Sequence, residues 1–264
     1  MKSIIKKLGL ETIDGFKFKK TLGKGKAGLT CLYSNDEENR VFKFLISPRN
    51  EEEFERFKYE TNINNMITDY NVKCFPKSYS NLKQHDHLPI YYFSMEYIEG
   101  KTLWDYLKNR PTPWEWEEAL IMLGNLSRSL NEISRYSIVH RDIHPGNIIL
   151  KNDFSPKKDI YNANEDIVLI DIGCCKDNFY DLCIQNYADD KYNEPEHIRH
   201  FGALYSWSPE FLQDPANVGI EHDSWALGVI KVSPFVKTTY RAFLSGSYAL
   251  HAAFSCSPTE NLLA

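Results

Sequence analysis

Apolar side chains in the first fifty residues recur at the short spacing of β-strands. They alternate with polar side chains over residues 16–22, which predicts a half-exposed strand, and the apolar runs 29–33 and 40–45 predict two more. A glycine-rich stretch, residues 23–28, separates the first two strands. The pattern therefore predicts a hairpin followed by a third strand.

A helical spacing of 3.6 residues replaces this pattern after Pro48. Asn50 is suited to cap a helix over residues 51–68, whose first turn is acidic. The side chains that would share one face of this helix are Phe57, Glu60, Ile63, Asn64 and Ile67. The carboxylate of Glu60 thus lies on a stripe that is expected to face inward.

The rest of the chain predicts a larger, mainly helical part. Residues 71–89 are loop-rich, residues 91–97 form a strand-like run, and residues 114–135 carry apolar side chains at helical spacing. The side chains interpreted as the core of that helix are Leu120, Leu123, Leu126, Leu130 and Ile133. Short apolar runs then enclose a polar cluster at residues 140–147, and a buried strand is predicted over residues 167–170.

The glycine-rich stretch has a composition that suits phosphate binding. Gly23, Gly25 and Gly28 form the pattern G-x-G-x-x-G, with Lys24 between the first two. Because glycine has no Cβ, its backbone N–H group can approach a phosphate oxygen closely. The same glycines also fit a plain hairpin turn, so the loop alone leaves both interpretations open.

Lys43 lies within an apolar run, where an ammonium group is costly unless it meets an anion. Glu60 is the carboxylate best placed to meet it. Glu53 and Glu55 are the competing carboxylates, and both resemble solvated charges of a first helical turn. The alternative is a lysine on an edge strand that points to solvent.

Two polar side chains in the cluster at residues 140–147 can face one cavity. Asp142 and Asn147 lie five positions apart between the apolar runs. An aspartate can receive a proton from a hydroxyl group, and an asparagine can hold a divalent cation. Asp171, which follows the predicted buried strand, supplies another carboxylate.

Residues 140–147, HRDIHPGN, have the spacing H-R-D-x-x-x-x-N, and at this point the chain resembles the protein kinase-like superfamily. Further motifs are similar to those of the family and follow in its order. They are D-I-G at residues 171–173 where the family has D-F-G, S-P-E at residues 208–210 where it has A-P-E, and D-x-W-x-x-G at residues 223–228. The resemblance implies an α+β, bilobal protein kinase-like fold with a small β-rich lobe and a larger, mainly helical lobe.

The resemblance implies a first lobe over residues 1–98 and a second over residues 99–230. Residues 231–264 do not resemble the last helices of the family, so we expect a truncated or divergent ending. Residues 171–210 resemble an activation segment, and Arg141 would receive a phosphate from it.

ATP and Mg²⁺ are the ligands that the resemblance implies. The glycine-rich loop and Lys43 would hold the phosphates, while Glu60 fixes Lys43. Met95 would line the back of the adenine pocket, and backbone groups of Glu96 and Ile98 would bond the adenine edge.

The resemblance also assigns the reacting groups. Asn147 and Asp171 would hold Mg²⁺, and Asp142 would orient the acceptor hydroxyl and take its proton. The implied function is an ATP-dependent phosphotransferase, a protein kinase that acts on protein hydroxyl groups, with Ser/Thr favoured.

Two departures from the family leave other acceptors open. His144 stands where Ser/Thr kinases carry a lysine, and Ala203 stands where they carry a threonine. Residues 142–147, DIHPGN, also resemble the loop of aminoglycoside and choline phosphotransferases, which act on small molecules. Arg141 and the S-P-E motif favour a protein acceptor. The third interpretation is an inactive nucleotide-binding or scaffold protein.

Composition and charge limit the partners, metal sites and location that we expect for this protein. A net charge of −5 and a pI near 5.9 argue against a nucleic-acid partner. The six cysteines show no C-x-x-C spacing, which argues against zinc and indicates a reducing compartment. With no run of 18 apolar residues and no signal-peptide pattern, we expect a cytoplasmic protein without membrane insertion, whose partners are ATP and a protein substrate.

Overall fold

A computed structural model describes residues 2–25, 28–110, 115–152, 154, 166–177, 207–214 and 219–232. The helices are α1 Lys2–Lys7, α2 Glu51–Asp69, α3 Leu103–Asn109, α4 Trp116–Ser134, α5 Pro209–Gln213 and α6 Ile220–Val232. The strands are β1 Thr12–Ile13, β2 Phe16–Gly25, β3 Gly28–Ser34, β4 Asn39–Ile46, β5 Lys83–Gln84, β6 Ile90–Glu96, β7 Gly100–Thr102, β8 Ile138–Val139, β9 Ile148–Lys151, β10 Ile167–Leu169 and β11 Lys176–Asp177. This order, with strands first and most helices later, confirms the predicted α+β class.

Six strands form one antiparallel sheet in the order β1-β2-β3-β4-β6-β5. The predicted hairpin is β2 and β3, and at its tip Gly25 lies opposite Gly28. The third predicted strand is β4, which lies between β3 and β6. Lys43 is therefore on an interior strand of the sheet, and the edge-strand alternative is wrong.

β4 has two different faces because successive side chains of a strand point to opposite sides. Phe42 and Phe44 are fully buried in an aromatic cluster with Tyr33 of β3. Leu45 packs instead against Phe57 of α2. Lys43 lies two residues before Leu45 on the same strand, so its side chain is on the same face of the sheet and points toward α2.

The N-terminal residues cover the aromatic side of the sheet. Ile5 of α1 and Leu10 are buried in the same cluster as Tyr33, whose hydroxyl donates to the carbonyl oxygen of Leu10 at 2.7 Å. The apolar pattern of the sequence predicts no helix or strand in this segment. A helix of six residues is shorter than the window in which helical periodicity can be recognised.

α4 is the central helix of the larger part of the chain. It shares a core with β8, β9, β10 and α6 through Met122, Leu126, Leu130 and Ile133. The prediction that Leu120 belongs to this core is wrong, because its side chain is 41% exposed. At 3.6 residues per turn Leu120 lies about 120° around the helix from Leu126, outside the buried stripe.

We expect the substitution Gly28→Ala to destabilise the sheet. Gly28 has a φ of +130°, and a Cβ atom there would lie 2.3 Å from the backbone carbonyl oxygen of Phe44. Holding an alanine in that conformation costs about 1–3 kcal/mol before the collision is relieved. Urea denaturation measures the loss of unfolding free energy.

Gly23→Ala is the matched control, since nothing lies within 4 Å of the Cβ position at Gly23. It is expected to unfold with an unchanged midpoint. A Gly28→Ala protein as stable as the wild type would contradict the close approach between the hairpin and β4.

Candidate active site

The site is built around the ammonium group of Lys43. It donates to Oε1 of Glu60 at 2.5 Å and to Oδ1 of Asp171 at 2.9 Å. Lys43 and Glu60 are only 5% and 3% exposed. Burial lowers the pKa of Lys43, but the charges of Glu60 and Asp171 raise it by more, so the pKa lies above its usual value and the ammonium stays protonated.

Glu60 makes this contact because of its position around the axis of α2. Its buried face consists of Phe57, Glu60, Thr61, Ile63, Asn64 and Ile67, as the periodicity predicted. The competing carboxylates are on other faces, where Glu53 pairs with Arg49 and Glu55 pairs with Lys58. The pairing expected from the sequence is therefore the one that the structure contains.

Asp171 follows β10 with an unusual backbone conformation. Its φ of +62° lies in the left-handed region, which few residues other than glycine adopt. The N–H of Gly173 approaches its Oδ1 at 3.4 Å, and the positive charge of Lys43 lowers the pKa of its carboxyl group. Both effects keep Asp171 ionised and turned toward Lys43.

Arg56 of α2 was not identified from the sequence. Its Nε donates to the carbonyl oxygen of Gly173 at 3.2 Å, and its Nη2 lies 3.6 Å from Sγ of Cys174. Arg56 is outside the apolar stripe of the helix, and the residues it reaches are more than a hundred positions later. Sequence periodicity carries no signal for such a contact.

The loop at residues 140–147 is fixed by a carboxylate from α6. Asp223 accepts hydrogen bonds from the N–H groups of His140 at 2.7 Å and Arg141 at 2.9 Å. Asp223 is completely buried, and burial raises its pKa to about 7. Burial also lowers the pKa of His140 to about 4, so this imidazole is neutral.

Arg141 has a φ of +61° and turns its side chain toward the stretch after Asp171. Its Nε donates to the carbonyl oxygen of Cys174 at 2.7 Å. Its Nη1 is buried and has no hydrogen-bond partner among the residues described. The predicted phosphate contact stays a prediction, because residues 178–206 of the expected activation segment lie outside the described residues.

Asp142 and Asn147 face each other across the loop, as their spacing predicted. Nδ2 of Asn147 donates to Oδ2 of Asp142 at 2.9 Å and to its carbonyl oxygen at 3.0 Å. The backbone carbonyl of Asn147 in turn accepts from the N–H of Ile170 at 2.9 Å. This bond places Asn147 beside Asp171 and so joins the two halves of the site.

The pair Asn147 and Asp171 fits a Mg²⁺ ion. Because Nδ2 of Asn147 is engaged by Asp142, its amide oxygen is the atom that would hold a cation together with the carboxylate of Asp171. Mg²⁺ prefers such oxygen ligands and completes its shell with water and phosphate oxygens. Within the described ranges, no cluster of three or more His, Cys, Asp or Glu side chains could hold a metal ion by itself.

The glycine-rich loop leaves open space above the sheet. Apart from the chain neighbours, no atom of the described residues lies within 4 Å of the Cβ positions of Gly23 and Gly25, and Lys24 between them is exposed. The backbone at the tip is therefore accessible to a ligand. Residues 26 and 27 lie outside the part of the chain that the structure describes.

The expected adenine contacts begin at the end of β6. Met95 packs against the cluster of Leu45, Phe57 and Phe93. The N–H of Glu96 donates to the carbonyl oxygen of Lys77 at 2.8 Å, and Ile98 is buried. These contacts fix the position of the segment, while its bonding to adenine stays a prediction.

No helix among the described residues is both long and apolar enough to cross a membrane. The predicted tail is not testable in the structure, since residues 233–264 lie outside its description. The proposed lobe boundaries at residues 98 and 230 likewise stay predictions.

Comparison with known proteins gives the family. The family model described as "Protein kinase domain" matches residues 16–242. The chain is 26% identical over 234 residues to the "Probable serine/threonine-protein kinase KIN1 homolog" of Encephalitozoon cuniculi, a match that covers 83% of this chain and 35% of that protein. It is 28% identical over 181 residues to the "Serine/threonine-protein kinase D" of Synechocystis, covering 64% of this chain and 32% of that protein.

A viral protein matches over a larger share of its own length. The "Serine/threonine-protein kinase 1" of Heliothis zea nuclear polyhedrosis virus is 25% identical over 209 residues, or 78% of this chain and 63% of that protein. The chain spans about a third of the length of the first two relatives. Because the family match covers most of the chain and includes every residue of the site described above, this chain belongs to the protein kinase domain family.

Proposed function

We propose that the protein transfers the γ-phosphate of ATP to a hydroxyl group of a protein substrate, with serine or threonine as the favoured acceptor. The observation that carries this proposal is the convergence of two sets of side chains. The ammonium of Lys43 meets the carboxylates of Glu60 and Asp171. Asn147 holds the carboxylate of Asp142, and its backbone carbonyl accepts from the N–H of Ile170, the neighbour of Asp171.

Different residues would bind ATP and transfer the proton in this reaction. Lys43 would hold the phosphates of ATP, and its ion pair with Glu60 keeps the ammonium in one position. The open backbone at Gly23 and Gly25 would face phosphate oxygens. Catalysis then depends on positioning and electrostatics, which is the usual basis of phosphoryl transfer.

Asp142 would accept the proton of the acceptor hydroxyl. Its carboxylate is held by Asn147 at 2.9 Å, so its orientation is fixed before a substrate arrives. Mg²⁺, when bound by Asn147 and Asp171, would neutralise charge on the phosphate groups. The side chains of the site therefore match the needs of an in-line displacement.

The choice of a protein acceptor rests on the family and on Arg141. The three relatives compared above carry the name serine/threonine-protein kinase. Arg141 holds the backbone after Asp171, and its buried Nη1 has no hydrogen-bond partner among the described residues. A protein kinase uses such an arginine to order a peptide-binding segment. We further propose a cytoplasmic location, from the cysteine pattern alone.

The first test is transfer of labelled γ-phosphate from Mg-ATP by the wild type and by Asp142→Asn. The acceptors are the protein itself, a basic protein rich in serine and threonine, and a panel of small-molecule alcohols. We expect label on protein with the wild type, and a rate at least about 100-fold lower with Asp142→Asn because the proton acceptor is lost.

ATP binding by both proteins, measured by calorimetry, controls for misfolding. Label that appears only on small molecules would overturn the protein acceptor. Equal rates for the two proteins would overturn the assignment of Asp142.

The second test concerns the buried ion pair. Glu60→Gln removes the charge that fixes Lys43, and a hydrogen bond to a charged group contributes about 1.5–3 kcal/mol. We expect kcat/KM for ATP to fall roughly 10- to 100-fold. Steady-state kinetics at varied ATP concentration measures the effect.

Glu55→Gln is the matched control on the same helix. Glu55 pairs with Lys58 on the surface, so kcat/KM for ATP is expected to stay at the wild-type value. An equal fall in both variants would show that helix stability, and not the contact with Lys43, is responsible.

A further inference from the structure

The first twenty-five residues carry a charge opposite to that of the whole chain. They contain seven lysines and two acidic residues, whereas the complete chain has a net charge of −5. Five of these lysines, which lie on α1 and β2 and are all exposed, form what we call the lysine surface: Lys6, Lys7, Lys17, Lys19 and Lys20. Positive charge is therefore concentrated on two elements of an otherwise acidic protein.

The carboxylates of the same segment leave the lysine surface largely uncompensated. Asp14 accepts from the ammonium of Lys83 at 2.8 Å, so Glu11 is the other carboxylate within the first twenty-five residues. Within the described part of the chain, the lysines in ion pairs are Lys43, Lys58 and Lys83. None of these belongs to the lysine surface, whose ammonium groups are therefore available to an external anion.

One apolar cluster holds α1 next to the start of β2. Ile5 of α1 and Phe16 of β2 are buried in this cluster. Leu8, which follows α1, and Phe18 of β2 pack against it. The lysines of the helix and those of the strand therefore belong to one continuous part of the surface.

The lysines of β2 are divided between the two faces of the sheet and its edge. Phe18 lies opposite Tyr33 on the aromatic side, which α1 covers. Lys17 and Lys20 have the opposite orientation, since they pair with the residues of β3 on either side of Tyr33. Lys19 lies in a bulge and has no partner on β3. Positive side chains thus surround the outer edge of the strand.

That edge has no neighbouring strand beyond its first residues. β1 pairs with the first two residues of β2, and the N–H of Phe18 then donates to the carbonyl oxygen of Glu11 at 2.9 Å. From Lys19 to Leu22, no strand of the described residues pairs with β2 on this side, and we call this stretch the open edge. A sheet edge of this kind can accept an extended peptide through its backbone N–H and C=O groups.

Lysines and bulges on an edge strand also protect a sheet against association with other sheets. Protection requires charge on the strand itself, so it gives no reason for Lys6 and Lys7 on α1. A charge of either sign can protect an edge, yet all five side chains of the lysine surface are positive. The gathering of one sign of charge from two elements indicates an anionic partner.

We propose that the lysine surface and the open edge together bind an extended, acidic segment of a polypeptide partner. Such a segment is the anion that uses both features, because its carboxylates meet the lysines while its backbone bonds to the edge. A lipid surface would also require exposed apolar side chains on α1, but Ile5 is buried. A nucleic acid would meet the lysines without using the backbone of the edge. This interaction site is outside the active site and goes beyond the proposed function.

The side chains of an added strand alternate between the two faces of the sheet. Acidic side chains on one face would meet Lys17 and Lys20, and those on the other face would meet Lys6 and Lys7. Each exposed ion pair contributes little by itself, so affinity depends on several pairs together with the backbone bonds. Exposed pairs are also screened by salt, and we expect binding to weaken as ionic strength rises.

The test measures binding of a fluorescent peptide of alternating glutamate and threonine to the full chain. We expect the wild type to bind it, and Lys19→Glu/Lys20→Glu to raise Kd about 10-fold or more because two attractions become repulsions. Lys73→Glu/Lys108→Glu is the matched control, since it makes the same change of charge at exposed lysines elsewhere and is expected to keep the wild-type Kd. Equal Kd values for all three proteins, or no binding by the wild type, would overturn the proposal.

Two further measurements separate this interaction from its alternatives. Lys6→Gln/Lys7→Gln leaves the edge strand intact, so a role in edge protection alone predicts an unchanged Kd, whereas we expect Kd to rise. Hydrogen exchange of the amides at residues 19–22 is expected to slow when the peptide is added. Unchanged exchange there would overturn the position of the peptide on the open edge.

Control ligands test the chemistry of the partner. A peptide with glutamine in place of glutamate is expected not to bind, and equal binding would overturn the need for acidic side chains. Single-stranded DNA or phosphatidylserine vesicles that bind more tightly than the acidic peptide, and lose binding in Lys19→Glu/Lys20→Glu, would overturn a polypeptide partner. Unfolding midpoints in urea confirm that each variant is folded. Neither Lys19 nor Lys20 belongs to the active site, so the rate of phosphate transfer is expected to stay at the wild-type value.

Discussion

The buried ammonium of Lys43 is the constraint on which the rest of the site depends. A positive charge at 5% exposure is tolerated only because two carboxylates meet it, one from α2 and one from the stretch after β10. Each partner comes from a different element, so the ion pairs fix the sheet, the helix and the later strand relative to one another. Losing the charge of Lys43 leaves the carboxylate of Glu60 buried without compensation.

A second carboxylate performs a similar task for the backbone. Asp223 of α6 binds the N–H groups of His140 and Arg141, where the chain takes a left-handed conformation at Arg141. Such a conformation persists in a residue other than glycine only when its surroundings hold it. The orientation of Asp142, one residue later, is thus set from a helix that begins almost eighty positions further along the chain.

The sequence was sufficient for features that repeat within one element. The spacing of Phe57, Glu60 and Ile63 placed the glutamate on the buried face of α2, and the spacing of Asp142 and Asn147 placed both on one side of their loop. Leu120 was misjudged because an apolar residue at helical spacing need not lie within the buried arc of the helix. The spacing of apolar residues shows which side of a helix is buried. How wide the buried arc is depends on the elements that pack against the helix.

Contacts between distant segments could not be predicted from the sequence. Nothing in the local pattern around Arg56 points to Gly173, and nothing around Gly146 shows that an imidazole two residues earlier fills the space above it. Both depend on backbone paths that form only after packing. The six-residue helix α1 was missed for a different reason, since its place is decided by the aromatic surface it covers.

That N-terminal covering affects where this domain can be divided from its surroundings. The family match starts at Phe16, yet Ile5, Leu10 and Ile13 are buried in the same cluster as Phe42 and Phe44. A boundary drawn at the start of the match would cut through the hydrophobic core and leave the hydroxyl of Tyr33 without its acceptor. The physical unit of folding on this side of the sheet is therefore larger than the unit defined by sequence similarity, and fragments of the protein are better begun before α1.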